Sequence, residues 1–321
     1  MGLQTKMWLL VAVLFAILYG VISAVGTYAG EGGAGSYIVL AFIMLGMQYL
    51  IGPFMVQMMM QVKWVTEQEE PELHHMVAEL SERAGIPKPR IGISQLGVPN
   101  AFAFGRTLRD GRVCVTEGIK GLLSRDELRA VLGHELAHLK HRDMIVITIL
   151  SAIPLILYWV ATRMMWGGMY DRDRNNSGGF AALIGITAFL LYFVSNLLVL
   201  YGSRIREYYA DQGSVEFGNP PHNLASALYK LVYGSAKYRG QEELKRVEGV
   251  RAFFLNDPAK AKDELMELAQ VDKDMSGTID GTELMELRQK TVKISAAEKM
   301  MELFTTHPNM LKRIKHLSSL G

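Results

Sequence analysis

The sequence predicts an α+β protein, mainly α-helical, with four transmembrane helices and a polar domain in the cytoplasm. Two observations predict this class. The 321 residues are 50% hydrophobic but only 21% charged, with a mean hydropathy of +0.14, which argues against disorder and against an ordinary water-soluble domain. The apolar residues also gather in long blocks that contain no charged residue, as membrane spans do.

Four blocks lack Asp, Glu, Lys and Arg over 19 to 24 consecutive positions. They cover residues 7–28, 37–60, 144–162 and 180–201. A hydrocarbon core of about 30 Å needs roughly 20 apolar residues in a helix, and no block shows the polar face of a helix in a soluble core. The first block is longer than the apolar part of a cleaved signal peptide, so we expect it to be retained as an anchor.

The distribution of Lys and Arg predicts the orientation. The loop 29–36 carries none and the loop 163–179 carries three, whereas the segments 61–143 and 202–321 carry 12 and 18. The positive-inside rule therefore places both termini and both polar segments in the cytoplasm of a multi-pass protein of the cell (plasma) membrane. The net charge of +2 argues against nucleic acid as a partner, and the single cysteine, Cys114, excludes a disulfide framework.

The blocks divide the chain into four parts, and the lipid bilayer is its first predicted partner. In chain order the parts are two N-terminal transmembrane helices (1–60), the first part of the cytoplasmic domain (61–143), a transmembrane hairpin (144–201) and the second part of the cytoplasmic domain (202–321). The cytoplasmic domain is thus interrupted by the hairpin, and its two parts must assemble in space.

A metal-binding motif closes the first cytoplasmic part. Ser124 and Glu127 form an S-x-x-E capping box, which predicts the start of a helix. Within that helix His134 and His138 are four residues apart, so both rings lie on one face and can reach one tetrahedral zinc ion. Glu135 is offset from both rings, where it can act on the attacking water as a general base instead of binding the metal.

A third zinc ligand is predicted just after the fourth block. Glu207 and Asp211 are again four residues apart, so Glu207 can bind zinc while Asp211 accepts the free N–H of a ligand histidine. The histidine pair ends six residues before the third block begins, and Glu207 lies six residues after the fourth block ends. Because two crossings separate them, both halves of the site return to the same side of the membrane.

These motifs, with two further spans before them, resemble the HtpX family of membrane zinc endopeptidases, which are relatives of the CAAX prenyl endopeptidases. Segment 100–105 (NAFAFG) is similar to the NAFA segment beside the family's catalytic cleft, and Thr306-His307-Pro308 is similar to its closing THP motif. The resemblance implies a cytoplasmic zincin-like metalloprotease domain with zinc at His134, His138 and Glu207. It also implies cleavage of misfolded or unassembled membrane proteins, in protein quality control and the stress response.

Several residues around this site have two interpretations. His307 and Arg206 are candidates for stabilising the oxyanion of the transition state, although His307 with Pro308 could equally cap a helix. The candidate substrate-binding residues are Asn100, Ala101, Phe102 and Ala103. Small and aromatic side chains alternate there, as in an edge strand that holds an extended polypeptide by β-augmentation. A core strand under the catalytic helix is the other interpretation.

Residues 272–283 match an EF-hand calcium loop, which is not a usual part of the family pattern. Gly277 takes the sixth position, where the loop turns sharply, and amphipathic runs on both sides extend the insertion to 261–290. The predicted Ca²⁺ ligands are Asp272, Asp274, Ser276, Thr278, Asp280 and Glu283. Because EF-hands usually pair, a single hand could bind weakly, bind magnesium, or pair with a second copy in a homo-oligomer. An acidic solvated loop is the alternative.

Three rival functions make different demands on the sequence. A prenyl-protein processing endopeptidase fits four spans poorly, because that relative is known for more spans that enclose a chamber. A calcium-responsive membrane scaffold without protease activity predicts a missing catalytic group, yet Glu135 and all three zinc ligands are present. A transporter predicts ionisable residues inside the spans, and none contains one. The sequence therefore favours a zinc metalloendopeptidase that acts on polypeptides.

Overall fold

A computed structural model of the chain describes residues 3–29, 33–170, 177–237, 268, 271–274, 276–290, 292 and 294–321. The chain divides into two compact units. The first consists of Met1–Gly52 and Ile145–Ile205, and the second of Pro53–Met144 and Arg206–Gly321. Most of 261–271, the predicted first helix of the EF-hand, lies outside the described residues.

Helices account for most of the described residues, as the sequence predicts. They are α1 (Leu3–Ala29), α2 (Gly33–Met59), α3 (Pro71–Ala84), α4 (Glu117–Leu122), α5 (Arg125–His141), α6 (Asp143–Tyr170), α7 (Ser177–Glu216), α8 (Pro221–Lys237), α9 (Gly281–Gln289), α10 (Ala296–Glu302) and α11 (Met310–Leu317). The described strands are β1 (Val62–Trp64), β2 (Arg90–Ser94), β3 (Ala101–Phe104) and β4 (Arg112–Thr116), and a 3-10 turn (Leu108–Asp110) precedes β4.

Three helices in the described part of the chain are long and apolar enough to cross a membrane. They are α1 over Leu3–Ile22, α6 over Asp143–Met165 and α7 over Gly179–Glu216. These helices coincide with the first, third and fourth apolar blocks of the sequence. The second block lies in α2, a 27-residue helix that contains Pro53, and its membrane crossing stays a prediction.

The first unit buries apolar side chains between its helices and exposes others. Leu14 of α1, Leu157 of α6 and Ala188 of α7 are buried in one apolar cluster. Trp8 and Phe189 lie on the same helices but are largely exposed. Large apolar side chains on the outside of a helical bundle are typical of a surface that contacts lipid.

The second unit is built on a four-stranded sheet in the order β1–β2–β4–β3. Strands β2 and β4 are parallel, whereas β1 and β3 are antiparallel to their neighbours, and Ala103 lies opposite Val113. Successive side chains of a strand point to opposite faces. Ala101 accordingly packs in the cluster that contains α5, while Phe102 and Phe104 pack in a separate cluster that contains Cys114. Strand β3 thus forms an edge of the sheet.

Helix α5 begins where the sequence predicts. The Ser124 hydroxyl accepts a hydrogen bond from the Glu127 N–H at 3.4 Å, and the Glu127 carboxylate accepts one from the Ser124 N–H at 2.7 Å, which completes the capping box. An apolar stripe of the helix, which includes Val131 and Leu132, is buried in the main core. The helix ends at Arg142, whose φ of 56° lies in the left-handed region, and α6 begins at the next residue.

Candidate metal centre

Two histidines of α5 meet one glutamate of α7. The Nε2 atoms of His134 and His138 lie 3.1 Å apart, and each lies 3.6 Å from one oxygen of Glu207. The spacing of four residues accounts for the histidine pair, and Glu207 comes from a continuous helix that also contains the fourth apolar block. The structure therefore brings together the three side chains that the sequence predicts as zinc ligands.

Each histidine contacts a carboxylate through its other ring nitrogen. The Nδ1 atom of His134 lies 2.9 Å from Asp211 Oδ1, and the Nδ1 atom of His138 lies 2.7 Å from Asp143 Oδ2. A carboxylate in this position accepts a hydrogen bond from Nδ1–H, so the proton stays on Nδ1 and the Nε2 atoms of both neutral rings carry lone pairs. Asp211 has the contact that the sequence predicts for it, and Asp143 is an additional partner.

This donor set fits a zinc ion. Lone pairs that face each other at 3.1 Å repel unless a proton or a cation lies between them, and Glu207 Oε2 is buried without an aligned hydrogen bond from the described part of the chain. Tetrahedral ligands at about 2.0–2.1 Å from zinc are about 3.4 Å apart, which is close to the distances of 3.1 and 3.6 Å found here. Two imidazoles and one carboxylate also leave the open position that catalytic zinc sites require.

The site is closed on one side and accessible on the other. The side chains of His134 and Asp211 are 0% exposed, whereas those of His138 and His307 are 19% and 17% exposed. A substrate would therefore reach the donor atoms from the side of His138 and His307.

Glu135 lies beside the histidine pair and is 4% exposed. Its burial raises the pKa of the carboxyl group above the ordinary range, while the charges of His134 and His138 and a hydrogen bond from the Ala103 backbone act in the opposite direction. The contact with Ala103 links α5 to the edge strand β3. A buried carboxylate held beside the zinc donors is suited to accept and return a proton.

Arg313 of α11 is a buried cation behind the site. Its Nε and Nη2 atoms donate hydrogen bonds to the two oxygens of Asp211 at 3.0 and 2.6 Å, and its Nη1 atom lies 3.2 Å from Glu207 Oε2. This forked pairing satisfies a carboxylate that is inaccessible to water. One sequence signal could have found it, because Arg313 falls on the stripe of α11 that otherwise consists of Met310, Ile314 and Leu317.

His307 faces the metal-binding group. Its Nδ1 atom lies 3.2 Å from Glu207 Oε1, and neither ring nitrogen makes an aligned hydrogen bond with the residues that the structure describes. Helix α11 is capped by Asn309, whose side chain accepts a hydrogen bond from the Leu311 N–H at 3.0 Å. The interpretation of His307 as a helix cap is therefore wrong, because Asn309 caps the start of α11.

Arg206, the other candidate for oxyanion stabilisation, contacts two groups at the start of α6. Its Nη2 atom donates hydrogen bonds to the Asp143 carboxylate and, at 3.2 Å, to the His141 carbonyl oxygen. Asp143 in turn contacts His138, so the guanidinium is connected to a zinc-binding ring through a carboxylate. In the described part of the chain these hydrogen bonds of Arg206 go to residues beside His138, and not to Glu135 or His307.

The segment Asn100–Ala103 has features of both interpretations. Strand β3 lies at the sheet edge, as β-augmentation by a substrate requires. Asn100 and Phe102 are nevertheless buried, and the Asn100 N–H donates a hydrogen bond to the Thr116 hydroxyl at 2.8 Å. The side chains thus support the core, while the backbone of Ala103 contacts Glu135.

The second acidic group lies in the predicted calcium loop. One carboxylate oxygen each from Asp272, Asp274 and Glu283 lie within 4.8 Å of one another. Gly277 has a φ of 78°, the left-handed conformation that the sharp turn at this position needs. The loop is followed by α9, whose first turn is capped by Asp280 through the Glu283 N–H at 2.8 Å. The predicted second flanking helix is therefore confirmed.

Residues 67–320 match peptidase family M48, and this match covers most of the chain. A protease HtpX homolog of Methanothermobacter thermautotrophicus is 53% identical over 230 residues, which are 72% of this chain and 86% of that protein. The chain belongs to the HtpX proteases of peptidase family M48. A second relative, protease HtpX homolog 2 of Methanosarcina acetivorans, is 34% identical over 322 residues and covers all of this chain and 96% of its own length.

This HtpX-type peptidase is a membrane zinc metalloendopeptidase, in agreement with the sequence prediction. The crystal structure of S. mikatae Ste24p has a TM-score of 0.55 with it at 15% sequence identity, and the match covers 98% of this chain and 67% of that one. At this identity the likeness shows the fold alone. The shared fold is compatible with the prenyl-processing alternative, but the HtpX relatives fit the main interpretation better.

Proposed function

We propose that His134, His138 and Glu207 hold the catalytic zinc and that Glu135 is the general base. The observation that carries this proposal is the convergence of the two Nε2 atoms and Glu207 within 3.6 Å, with both Nδ1 atoms occupied by carboxylates. When bound, zinc polarises the scissile carbonyl and acidifies a water molecule. Glu135 accepts a proton from the attacking water and transfers it to the leaving amine.

The surrounding residues suggest how a polypeptide is bound. The edge strand β3 can pair with an extended substrate along the side that does not face β4, and its neighbour Glu135 then lies next to the scissile bond. His307 is partly exposed at the accessible side of the site, where it can donate a hydrogen bond to the developing oxyanion. Misfolded or unassembled membrane proteins expose such extended segments, and we propose them as the substrates.

The exchange Glu135→Gln tests the chemical part. Zinc content should remain near one ion per chain, while cleavage of an unfolded polypeptide such as casein should fall by about 10²–10⁴-fold. The matched control is Glu127→Gln, because Glu127 is a buried carboxylate of the same helix that contacts Lys230 and not a histidine. Undiminished cleavage by Glu135→Gln would reject the role of Glu135, and wild type without zinc would reject the site.

We also propose four membrane spans with both polar segments in the cytoplasm. The support is the excess of Lys and Arg in 61–143 and 202–321 and the uncharged block within α2. Cysteine labelling in intact cells tests this topology. Burial raises the pKa of Cys114, so background labelling should be low. A cysteine at Lys273 should react only after the membrane is permeabilised, whereas one at Gly179 should react directly; the reverse pattern would reject the orientation.

The loop 272–283 is proposed to bind Ca²⁺, and this proposal is independent of the zinc site. It is supported by the clustered carboxylates and by the left-handed Gly277. Calorimetric titration of the purified protein with Ca²⁺ should give one site, which Glu283→Gln should weaken strongly. An unchanged isotherm in Glu283→Gln, or no heat of binding in wild type, would leave the loop as an acidic solvated turn.

A further inference from the structure

Asp143 is the outer partner of the second metal-binding histidine. Its Oδ2 atom lies 2.7 Å from His138 Nδ1, and its side chain is 9% exposed. Arg142 between them has a left-handed backbone conformation that ends α5, and α6 begins at Asp143. If α5 continued without a break through Asp143, the side chains of His138 and Asp143 would lie on different faces of the helix, because they are five positions apart in the chain.

Arg206 takes the other oxygen of the same carboxylate. Its Nη2 atom donates a hydrogen bond to Asp143 Oδ1 and another, at 3.2 Å, to the His141 carbonyl oxygen. The carboxylate is therefore fixed at both ends, by His138 on one side and by Arg206 on the other. Because α6 starts at Asp143 and α7 contains Arg206, this contact also joins the start of one apolar helix to the other.

The arrangement repeats the one around the first histidine. His134 Nδ1 contacts Asp211, and Asp211 is held by Arg313, just as His138 Nδ1 contacts Asp143 and Asp143 is held by Arg206. Each of the two histidine rings thus contacts a carboxylate, and each carboxylate in turn contacts an arginine. The two arginines come from different helices, so the repeat is not a consequence of one local motif.

We infer that Asp143 and Arg206 are a positioning pair for His138, equivalent to the pair Asp211–Arg313 for His134. The inference rests on the proposed zinc ligands. Asp143 selects the tautomer that leaves the Nε2 lone pair for the metal, and it makes the imidazole a stronger donor. Arg206 keeps this carboxylate from rotating and compensates its charge, so Arg206 acts through Asp143 and not on the oxyanion.

Zinc affinity, measured by competition with a chromogenic chelator, tests the pair without reference to catalysis. Asp143→Ala should weaken zinc binding about 10–100-fold, the range found when such outer partners are removed. Asp143→Asn should have a smaller effect, because the amide oxygen still accepts a hydrogen bond from Nδ1–H but carries no charge. Arg206→Met should fall between wild type and Asp143→Ala, and Arg206→Lys should recover most of the affinity.

A cobalt spectrum reports ligand geometry directly. With Co²⁺ in place of zinc, Asp143→Ala and Arg206→Met should shift the visible d–d bands, whereas Arg206→Lys should resemble wild type. Glu127→Gln is the control for general loss of a buried carboxylate in α5, and it should leave both the affinity and the spectrum unchanged.

The outcomes separate the inference from the function on which it rests. Wild type that binds no zinc would reject the proposed function. Wild type that binds zinc, with unchanged affinity in Asp143→Asn and Arg206→Met, would overturn the positioning pair even if Asp143→Ala does not fold. Equal losses in Arg206→Lys, Arg206→Met and Glu127→Gln would also overturn it, because they would indicate destabilisation alone.

Discussion

The proposed zinc ligands and the acidic residues of the loop 272–283 both form clusters of side chains within ligand distance of each other, but their surroundings differ. His134 is 0% exposed, and both metal-binding histidines are held by carboxylates whose own charges are paired with arginine. In the loop, Asp274 is exposed, and its carboxylate accepts a hydrogen bond from the Ser276 N–H at 3.0 Å. Side chains from four helices hold the proposed zinc ligands in position, whereas the acidic residues of the loop are held by its own backbone turn.

The difference shows which contacts hold each group of ligand side chains in position for an ion. Buried carboxylates without partners are costly, so a chain that buries Asp143, Asp211 and Glu207 together must also bury the compensating cations. Such a site keeps its geometry when the metal is absent. A loop that satisfies its carboxylates with backbone N–H groups can instead exchange these partners for an ion, and its occupancy follows the ion concentration.

The largest effect is expected from loss of a direct zinc ligand. His138→Ala and Glu207→Gln should abolish stoichiometric zinc and reduce cleavage of casein by more than about 100-fold, beyond the range for outer partners. Glu283→Gln in the calcium loop is the matched acidic change and should retain zinc. Zinc content, measured by inductively coupled plasma mass spectrometry, distinguishes the variants of the zinc ligands from Glu283→Gln. A loop variant that also lost zinc would erase the distinction between the two groups.

A smaller effect is expected when the buried cation is removed. Arg313→Met leaves Asp211 and Glu207 without their counterion, and breaking a buried ion pair in this way costs about 3–5 kcal/mol of stability. Thermal unfolding in detergent should show a lower Tm together with weaker zinc binding. Lys312→Met, at the adjacent and more exposed position of α11, is the control, and an equal loss there would contradict a special role for Arg313.

Calcium should have a modest effect on activity if the loop regulates the peptidase. Cleavage of casein should differ between saturating Ca²⁺ and a calcium-selective chelator in wild type, and the difference should vanish in Glu283→Gln. Zinc must be held constant in both conditions, because a chelator that removed it would mimic the effect. Equal activity with and without Ca²⁺ would restrict the loop to a structural role.

The smallest effect concerns Glu127, which belongs to neither proposed ion site and instead contacts Lys230 and Ser226. Burial alone would raise the pKa of Glu127, but hydrogen bonds from Lys230, Ser226 and Ser124 outweigh burial and lower it. Because the pKa of Glu127 is lower in the folded than in the unfolded protein, its ionised carboxylate stabilises the fold fully above the unfolded-state pKa of about 4.5. This stabilisation is lost as the pH falls through the pKa of the folded protein. Glu127→Gln should therefore cost about 1–3 kcal/mol at pH 7 and flatten the acid side of the Tm profile.

The parts predicted from sequence are those that a local pattern determines. Spacings of four residues identify His134 with His138 and Glu207 with Asp211, the capping box locates the start of α5, and uncharged blocks identify the apolar helices. The assembly of the zinc site from two segments separated by the transmembrane hairpin could be predicted, because two membrane crossings return the chain to the same side. Residues 261–267, within the predicted EF-hand insertion, lie outside the described part of the chain.

The partners that were missed depend on tertiary contacts. Asp143 reaches His138 only because Arg142 adopts a left-handed conformation, and no spacing rule covers that turn. Arg313 is more than 100 residues from Asp211 in the chain, and its only signal is its position on an apolar stripe. The interpretation of His307 as a cap was wrong for a similar reason, since the choice between His307 and Asn309 depends on where α11 begins.

The most direct test of the central claim is X-ray absorption at the zinc edge of the purified protein. The structure predicts one zinc per chain with two imidazole ligands and only oxygen or nitrogen in the inner shell, and it predicts that His138→Ala gives no stoichiometric zinc signal. A sulfur ligand, an inner shell without imidazole, or the same spectrum in wild type and His138→Ala would contradict zinc binding by His134, His138 and Glu207.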